Sequence, residues 1–349
     1  MLGNQIRRSR TVAVGLAALL LAAALTGCGG TGSAAPEVGE DGMVELVIAE
    51  PVHGVGYLPL YVGIQQGYFE AEGLNVSTVT LQGGGAHTNA VLTGEAWGFI
   101  GGPEHNAFAL AKGASIKAIV NIVNRGNVYL VAPPGVSLDG DLAGFLAGKT
   151  IATGAFGSTP NSITRYLVEQ AGLEVGSDVI LMESADASAS LAIVGSGQAE
   201  LAVTSEPILG QGIDEGVWGE PIYNVPVELG PYAYSTLNIR TESIEQDPET
   251  VEKFVRAMVK ALEFTDQNRE EAFEIALAEF PTFDPEVLRA TIDRSYEDGL
   301  WEFSGQITPE SIDTALAVVR TSGALEDEDD PVQYDEIVDM SFVELAGSQ

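Results

Sequence analysis

Cysteine is almost missing from this 349-residue chain: Cys28 is the only one, so no disulfide can form within it. Histidine is nearly as scarce. With only His53, His87 and His105 beside that cysteine, there are too few ligands for a structural zinc site, and no pair has the HExxH spacing. We therefore expect neither a metal nor a cofactor. Positive charge is the third shortage, with 16 Lys plus Arg against 50 Asp plus Glu and a net charge of -34. A surface of that sign repels phosphate backbones, which excludes nucleic acid as a partner. Long apolar runs are also lacking: the uncharged stretch 11–26 is shorter than the ~20 residues that span a bilayer.

What is present begins with residues 1–27, which carry Arg7, Arg8 and Arg10, no acid, and then that Ala- and Leu-rich stretch. This is the layout of a signal peptide. It ends in Leu25-Thr26-Gly27-Cys28, which resembles the lipobox of bacterial lipoproteins. That resemblance implies cleavage before Cys28 and diacylation of its thiol, leaving the protein lipid-anchored to the cell membrane on the extracytoplasmic side. Residues 28–43, rich in Gly and small polar residues, read as the lipidated cysteine and a flexible linker. Loss of three arginines from 16 bases leaves 13 against 50 acids, a mature net charge near -37.

Beyond the linker, short apolar runs alternate with helical stretches, the pattern of an α/β protein with mostly parallel sheets flanked by helices. Strands are expected at 44–49, 76–81, 97–101, 116–123, 128–132, 150–153, 179–182, 201–204 and 232–239. Helix starts are marked by Asp247-Pro248-Glu249, Asp284-Pro285-Glu286 and Thr308-Pro309-Glu310, each with a capping oxygen before a first-turn proline. The C-terminal third reads as a helical layer, with an exposed acidic loop at 326–330 and a closing helix at 334–346. Turns at Ala132-Pro133-Pro134-Gly135 and Glu228-Leu229-Gly230-Pro231 suggest two crossovers. Residues 44–132 and 232–349 would then build one discontinuous lobe, 133–231 the other, with a ligand cleft between them.

Two catalytic signatures fail on inspection. Residues 143–150 end in Gly-Lys-Thr like a phosphate-binding loop, but Gly144 lies one position too close and the segment continues as strand. No serine has glycine both two before and two after it, so the nucleophile elbow of α/β hydrolases is absent.

The ordered signals are of another kind. Residues 45–112 carry Leu58-Pro59-Leu60-Tyr61-Val62, Gly67-Tyr68-Phe69-Glu70-Ala71-Glu72-Gly73-Leu74, Gly83-Gly84-Gly85, Leu92-Thr93-Gly94-Glu95-Ala96 and Gly101-Gly102-Pro103-Glu104. Leu146 to Ile151, Gly157-Ser158-Thr159, Gly197-Gln198-Ala199-Glu200 and Glu206-Pro207 follow in order. The series resembles the nitrate/sulfonate/taurine class of substrate-binding proteins of ABC importers, the superfamily that includes thiamine-pyrimidine-precursor binders. The likeness runs from about 44 to 239 and departs at Trp97, where that class usually has Asp or a small polar residue.

The resemblance implies a two-lobe periplasmic-binding-protein fold of type II with two crossovers. It also implies a non-enzymatic monomer that closes on a small-molecule ligand and delivers it to an ABC permease and its ATPase. Candidate ligand-binding residues are His53, Tyr57, Gly83, Gly84, Gly102, Pro103, Glu104, Ser158, Thr159, Asn161 and Glu206. Glycines let a backbone approach a ligand closely, and the helix opening at Thr159-Pro160 can hold a polar oxygen. If His53, Glu104 and Glu206 face the cleft they favour an amine or protonated heterocycle over an anion, with Arg125 and Arg165 as opposing cations. Two alternatives share the fold. One is a pyrimidine-precursor synthase, whose cysteine-rich iron motif this chain cannot supply, and the other is a membrane-tethered solute sensor.

Overall fold

The computed structural model describes residues 36–82, 85–184, 186, 188–325 and 332–347. The signal peptide read at 1–27, Cys28, the first half of the linker, Gly83, Gly84 and the acidic run 326–330 lie outside the described residues. The end of the linker folds back as a tight turn: Val38 pairs antiparallel with Val44, and the Glu45 N–H donates to the Glu37 carbonyl.

Two five-stranded sheets organise the chain. The first has the order β2-β1-β3-β10-β4, where β1 is Val44–Glu50, β2 Leu74–Thr80, β3 Gly98–Gly101, β4 Ile116–Val123 and β10 Ser235–Arg240. The second runs β7-β6-β8-β5-β9, with β5 at Tyr129–Val131, β6 Thr150–Gly154, β7 Ile180–Ser184, β8 Leu201–Thr204 and β9 Tyr223–Asn224. Both sheets are mixed yet mostly parallel, as expected: in each, four strands share one direction and a single strand opposes them. Strand β1 is parallel to β2 and β3, and β6 to β7 and β8, but β10 and β5 run antiparallel to both of their neighbours. These two are the strands that first enter each sheet after the chain has crossed over. They arrive without the crossover helix that returns a strand parallel to its predecessor.

The first crossing is also earlier than expected. Strand β5 pairs with β8 and β9, so the chain leaves the first sheet between Val123 and Tyr129, and Pro133-Pro134 only ends a strand of the second sheet. The return falls between Asn224 and Ser235.

The helical layer follows its sequence signals. Asp247, Asp284 and Thr308 side chains accept from the N–H groups of Thr250, Glu286 and Ser311, capping helices Pro248–Gln267, Pro285–Glu297 and Pro309–Thr321. In the first of these, Val251, Phe254, Val255, Met258, Ala261 and Leu262 recur at helical spacing and are all buried. They join Leu58, Leu60 and Val62 in the core under the first sheet. Trp97 belongs to that core too, its ring 4.9 Å from Phe254. The segment 334–346 is not one helix but two, Tyr334–Ile337 and Ser341–Ala346. It breaks because Val338 is extended and bridges to Ala118 of β4, while the Asp339 N–H donates to the Ala118 carbonyl. Among the described residues no helix is long and apolar enough to cross a membrane.

Candidate functional site

A cavity of about 150 Å³ lies where the two sheets present their strand ends to each other. One ordered water needs roughly 15 Å³ on the same measure, so the space suits a molecule of several heavy atoms. Residues just past the C-terminal ends of β1, β3, β6 and β8 line it: Pro51 and Gly102 from one sheet, Ala155 and Ser205 from the other. Carboxyl ends of strands are where open α/β sheets bind ligands, because the helices that follow leave their first N–H groups free.

Of the sequence-derived candidates, Tyr57, Gly102, Ser158, Thr159 and Glu206 line this cavity. Tyr57 is buried, and desolvation holds its hydroxyl far above its ordinary range, hence neutral. Ser158 precedes helix Thr159–Gln170 without capping it by its side chain; its hydroxyl donates to the Ala155 carbonyl at 2.7 Å. Thr159 donates to Glu104 Oε1 at 2.7 Å.

The other described candidates, His53, Pro103, Glu104 and Asn161, lie outside the lining. His53 stands between two carboxylates, Nδ1 2.9 Å from Glu50 Oε1 and Nε2 3.4 Å from Glu279 Oε1; the Glu50 hydrogen bond raises its pKa. Asn161 is fully buried, donating to the Gly154 carbonyl and to Glu183 Oε1 and accepting from Arg165 Nε. Arg165 is thereby engaged with Glu183 at 2.7 Å, and Arg125 donates to the Asn124 carbonyl; neither arginine lines the cavity. Pro103 starts helix Glu104–Leu110 behind the lining.

Glu104 is 1% exposed, and burial pushes its carboxyl up to about 7. Its carboxylate curls back over Gly102, where a Cβ would stand 2.1 Å from Oε2, so any larger residue at 102 would displace the carboxylate. Oε1 accepts from Thr159, which ties the first sheet's helix layer to the second's, while Oε2 has no partner. Glu206 is 4% exposed and differently placed. Arg294 Nη1 reaches its Oε1 at 2.8 Å, and Thr291 Oγ1 and the Gly210 N–H reach Oε2 at 2.9 and 3.0 Å. Burial still raises its pKa, with Arg294 opposing the shift.

Four further cavity residues were not singled out in the sequence. His87 and His105 line it as an edge-to-face pair with ring centroids 4.6 Å apart, both beside Phe99. Burial holds His105 down to about 4 and His87 well below its ordinary value, so both rings are neutral near neutral pH. Asn127, in the crossing segment, and Thr204, at the end of β8, complete the group. For His87 a signal existed, since it lies in the first turn of a helix that follows three consecutive glycines in a chain with two other histidines. Asn127 and Thr204 sit in runs with no motif. Among the described lining residues there is no lysine or arginine; the acids are Glu206 and Asp186.

Both the sequence and the fold have counterparts among known proteins. YtlA of Bacillus subtilis (strain 168), described as a candidate binding protein, is 23% identical over 314 residues, 89% of this chain and 92% of its own. A solved Bordetella bronchiseptica RB50 protein shares the fold with TM-score 0.72 at 22% identity, covering 87% of this chain and 97% of its own. The periplasmic aliphatic sulphonate-binding protein SsuA of Escherichia coli does so with TM-score 0.64 at 15% identity, covering 80% and 91%. The fold is therefore the two-lobe periplasmic-binding-protein architecture. The NMT1/THI5-like family model matches residues 55–272, from the turn before the Leu58–Gln65 helix, through both sheets and into the helical layer, and the chain belongs to that family.

Proposed function

We propose that this chain is the solute-binding component of an ABC importer, working outside the cytoplasm and tethered to the cell membrane by lipid on Cys28. The observation that carries the reading is the cavity formed by strand ends of both sheets. A small molecule held there contacts both lobes at once, so its binding energy favours the closed form that a permease and its ATPase would receive. Tyr57, Gly102, Ser158, Thr159 and Glu206 are its proposed contacts, and Gly83 and Gly84 belong to the same proposal because they precede His87 closely in the sequence. In this reading the lobes divide between 123 and 129 and between 224 and 235, where the chain passes from one sheet to the other. The protein acts as a monomer and releases its ligand unchanged.

The test is thermal melting of the full-length protein in detergent against small solutes of each charge class. A bound solute at 100 times its Kd raises stability by about 2.7 kcal/mol. Recovery of the solute unaltered after incubation supports binding over catalysis, and a converted product sinks it. The anchor has its own test. Two acyl chains bury many CH2 groups at ~0.8 kcal/mol each, so Cys28→Ala should move the protein from the membrane fraction to the soluble one. Retention of the alanine variant on membranes would refute lipidation.

A further inference from the structure

Glu104 is buried at the junction of the two sheets' helix layers with very little to hold a charge. Oε1 accepts from Thr159, the first residue of a helix beside the second sheet, at 2.7 Å, and Oε2 has no partner. Buried carboxylates are ordinarily met by a cation or by several N–H donors. No lysine or arginine acts on this one. The titratable groups around it are three tyrosines, Tyr57 from the turn after β1 and Tyr232 and Tyr234 from the return crossing, and His105 from its own helix. Burial keeps the three hydroxyls protonated and the imidazole neutral near neutral pH, so none supplies a positive charge. Only a glycine stands between the carboxylate and the cavity: Gly102 lines the cavity, and a Cβ on it would meet Oε2 at 2.1 Å.

We propose that closing of the two lobes is coupled to the uptake of one proton by Glu104. This rests on the solute-binding reading above and adds how that site is regulated. With the lobes together the carboxyl is buried with a single hydroxyl donor, and the neutral acid is its stable form. Parting them draws Thr159 away and brings water to a carboxyl screened on that side by a glycine alone, so the proton leaves. Burial holds the proton up to about pH 7, against 4.5 for a hydrated carboxyl. Between these values the closed form carries a proton that the open form lacks. Acid therefore favours closing, and each unit of rising pH lowers the closed-to-open ratio about tenfold until the closed form ionises as well. Other groups at the cavity titrate with the same motion. Burial lowers His87 and His105, which therefore oppose the effect in acid, and raises Glu206, where Arg294 counteracts the shift. The Glu104 contribution is isolated by Glu104→Gln, which keeps an oxygen for Thr159 and has no proton to exchange.

The test needs no solute. Leu92 and Ile180 are exposed, one on the Ala86–Thr93 helix beside the first sheet and the other on β7 of the second. Nitroxides on the full chain carrying Cys28→Ala, Leu92→Cys and Ile180→Cys report lobe separation by pulsed electron resonance. Between pH 5 and pH 7 the closed-to-open ratio should fall roughly 30-fold more in this chain than in the same chain with Glu104→Gln. Should the glutamine chain not fold, Glu104→Met gives the same comparison, since it has neither a proton nor an unpaired oxygen. Equal pH dependence with and without Glu104, or a separation that never moves, overturns the coupling. Solutes that still raise Tm in the melting panel then leave the binding reading standing, and silence across that panel refutes both.

Discussion

Arg294→Ala should cost roughly 3–5 kcal/mol of unfolding free energy, among the largest effects of any single charge removal in this protein. Its guanidinium is 17% exposed and holds Glu206, whose side chain is 1% exposed, at 2.8 Å. Alanine leaves that carboxylate buried with only Thr291 and the Gly210 N–H. Desolvation already raises the Glu206 pKa against the pull of Arg294. Without the arginine it rises further, so the penalty should be greatest at neutral pH and shrink in acid as the carboxyl takes up a proton. The comparison is Lys253→Ala. Lys253 pairs with Glu249 across one helical turn, and Glu249 is 76% exposed, so about 0.5 kcal/mol or less should be lost. Urea unfolding of both variants decides the matter. Equal losses would mean that the Glu206–Arg294 pair contributes no more than a surface contact. Adding Glu206→Gln to Arg294→Ala should recover part of the loss, because the second change removes the stranded charge.

The pH profile of stability should change nearly as much on Glu104→Gln. The folded state holds the Glu104 proton up to about pH 7, whereas the unfolded chain gives it up near the ordinary value of 4.5. Between these values the native state binds more protons, so rising pH destabilises it, by roughly 3 kcal/mol across the window. Glutamine keeps the oxygen that Thr159 donates to and cannot ionise. The free-energy difference between wild type and variant should therefore drift by about that amount between about pH 4 and pH 8, in favour of the variant at the alkaline end. A difference that stays constant with pH would show that Glu104 titrates as an ordinary carboxyl. Because Glu104 and Thr159 sit in the helix layers of different sheets, the same proton weakens or restores a tie between the lobes.

How far these effects were legible in the sequence depends on the range of the interaction behind them. Asp247, Asp284 and Thr308 announce their helices because a cap acts within three residues, and all three side chains accept as expected. The apolar spacing from Val251 to Leu262 declares a buried face for the same reason. The order of turns and strands from 44 to 239 sufficed for the α/β class and the family. Local signals could not say which strand pairs with which: the run at 128–132 reads as a strand ending at a proline turn, and only its hydrogen bonds to β8 and β9 put it in the second sheet.

The site divides along the same line. Composition alone determined that this protein has too few histidines and cysteines for a structural zinc site, one cysteine available for lipid, and an overwhelming excess of acid. Tertiary structure alone decided where the few special side chains point. Glu206 meets Arg294 across 88 residues and Glu104 meets Thr159 across 55, while His53 is drawn away to Glu279 and His87 is left with two bare nitrogens at the cavity. Whether a carboxylate faces a ligand, a guanidinium or water depends on contacts between distant segments. A linear pattern records only the neighbours a residue has along the chain, and the cavity is made from neighbours it acquires by folding.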